Sequence, residues 1–310
     1  MVETIWKCSG ASVRGNSHEI AGTECQDAWA MFSANRCSNT SPARQYSRAE
    51  GIVYRKGRAY RITKHSAKAK HRRTGSFLKR NGGFQSSSFI ALATHAVATA
   101  VCVCDGAGSV EHSRTGAALT SKIVTEQLAM FFDETFKNPK KVFLTVLKIV
   151  LKELCEAAKK LQCPLRELAC TLVAVAVDNA GRWVYWHLGD GGIIARFDND
   201  LRVLSTPQKG EYANETYFVT ERDAAEHLQF GVSTEETQNV TGFAVFSDGL
   251  EMMLYDHVTL DVSSAIAGML NWHAKNNEET VSQAIKTNIT KVFRQKTNDD
   301  CSLVLLTRQN

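Results

Sequence analysis

Five aspartates carry the chemical interest of this 310-residue chain. Three close an apolar run and are followed by glycine: Asp105-Gly106 after Val101–Cys104, Asp190-Gly191 after Val184–Gly189, and Asp248-Gly249 after Phe243–Ser247. Asp299-Asp300 stands just before the last apolar run, and Asp27 sits in Cys25-Gln26-Asp27-Ala28. Each alone is ordinary turn chemistry, because aspartate and glycine both favour turns. Carboxylates gathered at one end of a sheet pair, however, repel one another unless cations sit among them. Hard oxygen ligands of this kind suit Mg²⁺ or Mn²⁺. Glycine lets the backbone come close, so that a carbonyl can join the coordination shell. Two such ions about 3.5–4 Å apart hydrolyse phosphate esters: they acidify a bridging water, hold the phosphoryl oxygens and neutralise the in-line transition state. No serine or cysteine nucleophile is then required, and the chain has no G-x-S-x-G elbow, Walker loop or HExxH helix.

The elements that must position these residues are legible as a mixture of strands and helices. Thr4 to Ser9 and Asp27 to Phe32 read as short strands, as do Thr99–Cys104, Cys170–Val177, Trp183–Leu188, Ile193–Phe197, Gly242–Phe246 and Cys301–Thr307. The run from Cys170 is apolar on both faces, as expected of a covered central strand. Ser113 is placed to cap a helix reaching about Phe136, and Asn138-Pro139 to restart one with the stripe Phe143, Val146, Val150, Leu154, Ala158 and Leu161. A last helix begins near Thr280, where Thr280 and Gln283 have capping-box spacing, and carries Val281, Ile285, Ile289 and Val292. Strands and helices arrive in pairs, without strict alternation, which points to two stacked sheets with helices outside.

Composition narrows the setting. The hydrophobic fraction of 44% supports a substantial core. No run of 18 apolar residues suggests a membrane span, and residues 1–15 lack the apolar stretch of a secretory signal, so a cytoplasmic protein with no membrane partner is expected. The nine cysteines follow no CxxC spacing and read as reduced thiols; Cys8, His18, Cys25 and Cys37 fit no zinc-finger pattern. The net charge of +5 is unevenly spread. Residues 36–80 hold 14 Lys/Arg against one acid, Glu50, leaving 23 basic and 31 acidic residues elsewhere, a body of charge −8. Residues 36–88, rich in Arg, Lys, Ser and Gly, read as a mobile basic insertion in a single domain spanning 1–310. Such a segment is either a solvated loop or a docking arm for an acidic partner or nucleic acid, with Tyr46, Tyr54, Tyr60 and Phe77 among its cations.

Cys25-Gln26-Asp27, Asp105-Gly106-Ala107-Gly108-Ser109, Gly189-Asp190, Ser247-Asp248-Gly249 and Asp299-Asp300-Cys301-Ser302 occur in the order and context of the motifs of type 2C (PPM) metal-dependent protein serine/threonine phosphatases. With Ser17-His18 and Gly210–Thr216, the chain resembles a bacterial branch of that family over about residues 9–35 and 95–308. The resemblance implies an α+β fold, a four-layer αββα sandwich flanked by helix pairs. It also implies phosphoserine or phosphothreonine hydrolysis in a phosphorylated protein, a serine/threonine kinase or its target. By the resemblance, Asp105 bridges two metals with the Gly106 carbonyl, Asp248 and Asp299 complete one site, and Asp27 serves the other. Asp190 with Asp248 matches the position of a third, weaker metal in bacterial members, and Thr206 to Glu235 falls at the family's flap. The chain departs from better-known members in two ways. Ala107 stands where many have His or Met, and Gly22 where a phosphate-gripping arginine is expected. Arg14 or His18 could reach the phosphate instead, with His18 the candidate catalytic residue, as an alternative to satisfying backbone groups, and Arg14 the candidate phosphate ligand. These departures leave a second reading, a catalytically silent binding module of the same fold.

Overall fold

The computed structural model describes residues 6–33, the strands 52–55 and 58–61, and residues 98–198, 200–207 and 216–309. By internal contacts the chain divides into two units, residues 1–35 with 96–310, and residues 36–95. In the second unit the described residues form one antiparallel hairpin, so the expectation of a segment without regular structure is corrected there. Its Ile-Val-Tyr-Arg and Arg-Ala-Tyr-Arg runs are β-branched and aromatic enough to pair. The rest of the basic 36–88 segment, and with it the nucleic-acid reading, lies outside the described residues.

The elements run β1 (Trp6–Val13), α1 (Asn16–Ala21), β2 (Ala28–Ser33), β3 (Ile52–Arg55), β4 (Arg58–Arg61), β5 (Ala98–Cys104), α2 (Ser113–Met130), α3 (Phe132–Lys137), α4 (Pro139–Leu161), β6 (Leu172–Asp178), β7 (Trp183–Leu188), β8 (Gly192–Phe197) and β9 (Asp200–Ser205). They continue through β10 (Gln229–Val232), β11 (Val240–Phe246), α5 (Glu251–Leu254), α6 (Ser264–Lys275), α7 (Glu278–Lys291) and β12 (Cys301–Arg308). Two five-stranded antiparallel sheets result, with orders β1-β12-β11-β8-β9 and β10-β7-β6-β5-β2.

Period-two alternation in the central strands explains why the sheets stack and why helices cover their outer faces. In β5 and β6 the valines Val101, Val103, Val173, Val175 and Val177 face the other sheet, meeting Phe243, Val245, Val304 and Leu306. The intervening Ala100, Cys102, Cys104, Leu172, Ala174 and Ala176 pack instead with Val124 and Leu128 of α2 and Phe143, Val150 and Leu154 of α4. On the far side, Ala244, Phe246, Leu303 and Leu305 meet Ile266 and Leu270 of α6 and Val281, Ile285 and Ile289 of α7. Each fully buried aliphatic of these stripes contributes roughly 1.5–3 kcal/mol. The architecture is the αββα sandwich expected from the sequence. Every described cysteine is free of disulfide bonding.

Three local expectations need correction. Ser113 does not cap α2: His112 holds the cap position, and Ser113, fully buried, donates its hydroxyl to the Val110 carbonyl. Burial under the Gly106 loop takes its side chain away from the cap. Asn277, not Thr280, starts α7, its carboxamide accepting from the Thr280 amide at 2.8 Å. The helix expected to reach Phe136 breaks at Phe131 into α2 and α3.

Candidate active site

Four of the five aspartates come together from opposite sheets. Asp27 precedes β2 and Asp105 follows β5, neighbouring strands of one sheet; Asp248 follows β11 and Asp299 precedes β12, neighbours in the other. Asp27 is buried, Asp105 and Asp248 half-buried, and Asp299 exposed. The charges of Asp27 and Asp248 both act on the Asp105 carboxyl, so the three acids from the two sheets lie within electrostatic reach of one another. Asp190 lies in the crossing from β7 to β8, hence between the sheets, and its charge reaches Asp105 and Asp248.

Backbone constraints hold these carboxyls in place. The Asp105 amide donates to Thr171 Oγ1 at 3.0 Å, while the Thr171 amide donates to the Asp105 carbonyl at 2.8 Å. Asp190 is flanked by Gly189 and Gly191 with φ of 93° and 91°, a left-handed conformation that favours glycine. The turn is fixed further by the Gly191 amide donating to Glu251 Oε1 at 2.6 Å, and Thr216 Oγ1 donates to Asp190 Oδ2 at 2.7 Å. Gly249 brings the Asp248 turn against the last motif: a Cβ there would lie 2.1 Å from the Asp300 carbonyl oxygen.

Several residues that tie the site together escaped the sequence reading. Asp300, 1% exposed, accepts from the Gly15 amide at 2.6 Å and the Gln26 amide at 2.5 Å, so it binds the loops after β1 and before β2 to the start of β12. Ser247 donates to Asp27 Oδ2 and accepts from the Ser302 amide. His187, fully buried, spans from Ser205 to the Asp190 backbone. The Asp300 neighbour of Asp299 and the serine before Asp248-Gly249 were visible as motif members. Their roles depend on partners more than 200 residues away, and no local pattern encodes that.

The other candidates sit at the margin. His18, on α1, has Nδ1 2.9 Å from Asp300 Oδ1, an ion-pair distance without hydrogen-bond alignment. Arg14 donates to the Thr23 carbonyl at 3.0 Å and stands 4.0 Å from Glu19. The Gly106 carbonyl belongs to a buried residue bridged to Cys170, with no room for a side chain at its Cα.

The electrostatics are those of crowded acids. Burial, opposed in part by contacts with Asp105 and Ser247, pushes the Asp27 carboxyl up to about 6. Burial and then the Asp190 charge raise Asp248 to about 8. Asp105 is driven well above the carboxylate range by burial and by Asp27, Asp248 and Asp190, and burial also raises Asp190. Oδ1 of Asp27, Asp190 and Asp248 is buried without a hydrogen-bond partner. Such atoms cost free energy unless something compensates them. Among the described residues no three His, Cys, Asp or Glu side chains form a closed metal cage. The all-oxygen donor set with three orphaned carboxylate oxygens nonetheless fits hard divalent cations, which would compensate them.

Sheet order, helix layers and this acidic cluster together define a class, and comparison with known proteins agrees. The family model described as protein phosphatase 2C matches residues 74–290, and the chain belongs to that family. Serine/threonine-protein phosphatase 3 of Escherichia coli K12 is 33% identical over 158 residues, a match covering 49% of this chain and 59% of that protein's length. Among solved structures, the fold is similar to the serine/threonine phosphatase of S. agalactiae (TM-score 0.53, 13% identity, 98% of this chain and 99% of that one). It is likewise similar to PppA of Pseudomonas aeruginosa (TM-score 0.54, 12% identity, 98% and 99%). No helix among the described residues is long and apolar enough to cross a membrane.

Proposed function

We propose that this chain hydrolyses phosphoserine and phosphothreonine in proteins, using Mg²⁺ or Mn²⁺ held by Asp27, Asp105, the Gly106 carbonyl, Asp248 and Asp299, with Asp190 and Asp248 serving a third, weaker ion. The observation that carries this is the meeting of Asp27, Asp105 and Asp248, which are 78 and 143 residues apart in sequence, with carboxylate oxygens that no protein group satisfies. Bound ions would supply Lewis-acid chemistry, offsetting phosphate charge and making water a better nucleophile near neutral pH. The chain's own residues do the positioning. Asp105 stands between the two sheets' ligands, Ser247 aims Asp27, and Thr216 aims Asp190. His18, whose Nδ1 lies 2.9 Å from Asp300 Oδ1, is proposed as the proton donor to the departing serine or threonine oxygen. Arg14 would reach the phosphate only by leaving the Thr23 carbonyl.

Substrates are then phosphoproteins, with a serine/threonine kinase or its target as the proposed partner, and a cytoplasmic location is proposed with them. Residues 36–80 are retained as a proposed arm for an acidic partner. The deciding experiment is release of phosphate from a phosphothreonine peptide with Mn²⁺, with chelator, and with Asp105→Ala. Metal-dependent release that Asp105→Ala abolishes is the expected outcome. Full activity in that variant defeats the reading, and no release by the wild type under any metal returns the chain to the silent binding module.

A further inference from the structure

We infer that His187 is a positioning residue whose two ring nitrogens clamp the Asp190 turn to the root of the segment following β9, so that one side chain sets both. This inference rests on the phosphatase reading for its kinetic consequence, though not for its geometry. His187 lies near the end of β7 in one sheet, fully buried, and Ser205 ends β9 in the other sheet. Nδ1 is 2.6 Å from Ser205 Oγ, and Nε2 is 3.3 Å from the Asp190 carbonyl oxygen. A carbonyl only accepts, so Nε2 carries the proton and Nδ1 accepts from the serine hydroxyl.

The residues around this imidazole close a circuit. His187 pairs in register with Gln229 of β10, and Gln229 Nε2 donates to the Thr206 carbonyl at 2.9 Å. Both strands bordering residues 206–228 are therefore tied next to the same histidine. Within that segment Thr216 meets the site, its hydroxyl donating to Asp190 Oδ2. Asp190 is thus gripped at its backbone by His187 and at its carboxylate by Thr216. A side chain that only filled space would need neither polar atom, and leucine would serve.

The two arms can be cut separately. Glutamine places its amide near the position of Nε2 and keeps the bond to the Asp190 carbonyl, whereas asparagine places its oxygen near Nδ1 and keeps the bond to Ser205. Hydrogen–deuterium exchange of the metal-free protein reads each arm without a phosphatase assay. In His187→Leu, peptides covering 188–192 and 204–207 should both exchange faster, with β5 and β6 unchanged. His187→Gln should protect 188–192 and release 204–207. His187→Asn should do the reverse, and Ser205→Ala should resemble His187→Gln. The Mn²⁺ concentration for half-maximal activity should rise about tenfold in His187→Leu and His187→Asn, and little in His187→Gln. Equal exchange in the Gln and Asn variants, no change in any variant, or acceleration spreading through β5 and β6 would overturn the assignment. Should His187→Leu not fold, the Gln, Asn and Ser205→Ala variants still decide it. If Asp105→Ala retains activity, the phosphatase reading fails while the exchange pattern stands or falls by itself.

Discussion

Ser247 and Asp27, 220 residues apart, are joined by a 2.7 Å hydrogen bond in which the serine hydroxyl donates to Oδ2. The same hydroxyl oxygen accepts from the Ser302 amide at 2.9 Å. One small side chain from the sheet containing β11 and β12 therefore fixes a carboxylate presented by the other sheet, and the metal ligand proposed there depends on it.

Ser247→Ala removes the donor from Asp27 and leaves the buried Ser302 amide without that acceptor. Leaving a buried polar group unpaired costs about 1–3 kcal/mol. We expect a loss of that size by urea denaturation, together with a higher Mn²⁺ requirement. An unchanged unfolding midpoint would show that water replaces the hydroxyl.

Asp300→Asn tests the knot that joins the loops after β1 and before β2. Both Asp300 oxygens accept backbone amides, and an amide nitrogen in place of one oxygen would face a donor. About 2–3 kcal/mol of stability should be lost, as for hydrogen bonds to a charged acceptor. Activity should fall as well, since Gln26 adjoins Asp27. Denaturant melts beside phosphate release measure both.

Gly249→Ala would drive a methyl to 2.1 Å from the Asp300 carbonyl. The obstacle is backbone, so the Asp248 turn must move, at a cost of about 1–3 kcal/mol. Activity should fall more than stability alone explains, because the displaced turn carries Asp248. A crystal structure of the variant and its Mn²⁺ titration check this.

The metal-free protein should become less stable as pH rises. Asp27 and Asp248 have folded values raised to about 6 and about 8, above those of the unfolded chain. The unfolded state therefore gives up its protons first. The stability contributed by the protonated acids is fully present below about pH 4 and is lost as pH rises through those folded values. Divalent cations compete with the same protons, so the rise in melting temperature on adding Mn²⁺ should grow between pH 5 and pH 8. A metal-induced shift that is flat with pH would contradict this.

His273 works in the opposite sense. It is fully buried, its Nδ1 3.0 Å from Thr307 Oγ1, and burial lowers its pKa to about 4. The unfolded state takes up the proton first as pH falls below about 6.5, so stability is lost between there and pH 4. A shift of this size amounts to roughly 3 kcal/mol. His273→Gln should flatten that part of the stability profile measured by urea titration.

Much of this molecule could be read from its residues because the relevant signals are local. β7 was placed at its observed limits, and β5, β6, β11 and β12 to within about two residues, since each is an apolar run bounded by turn formers. The aspartates announced themselves through strand ends and glycines. What stayed hidden was long-range or weakly patterned. The strand β9, Asp-Leu-Arg-Val-Leu-Ser, alternates over only its first four residues, and β10 is four residues with Gly231 inside it, so neither carries a long period. The helix α1 is six residues with none buried. The roles of Ser247, Asp300 and His187 arise only when the two sheets meet.

That the acids are supplied from both layers has a mechanical consequence. Divalent ions bound there would act as rivets across the mouth of the sandwich, opposing any slide of one layer over the other. Catalytic competence and resistance to shear would then be the same quantity. A force or mutation that lets the layers slip would remove the proposed activity while circular dichroism still reported an intact fold.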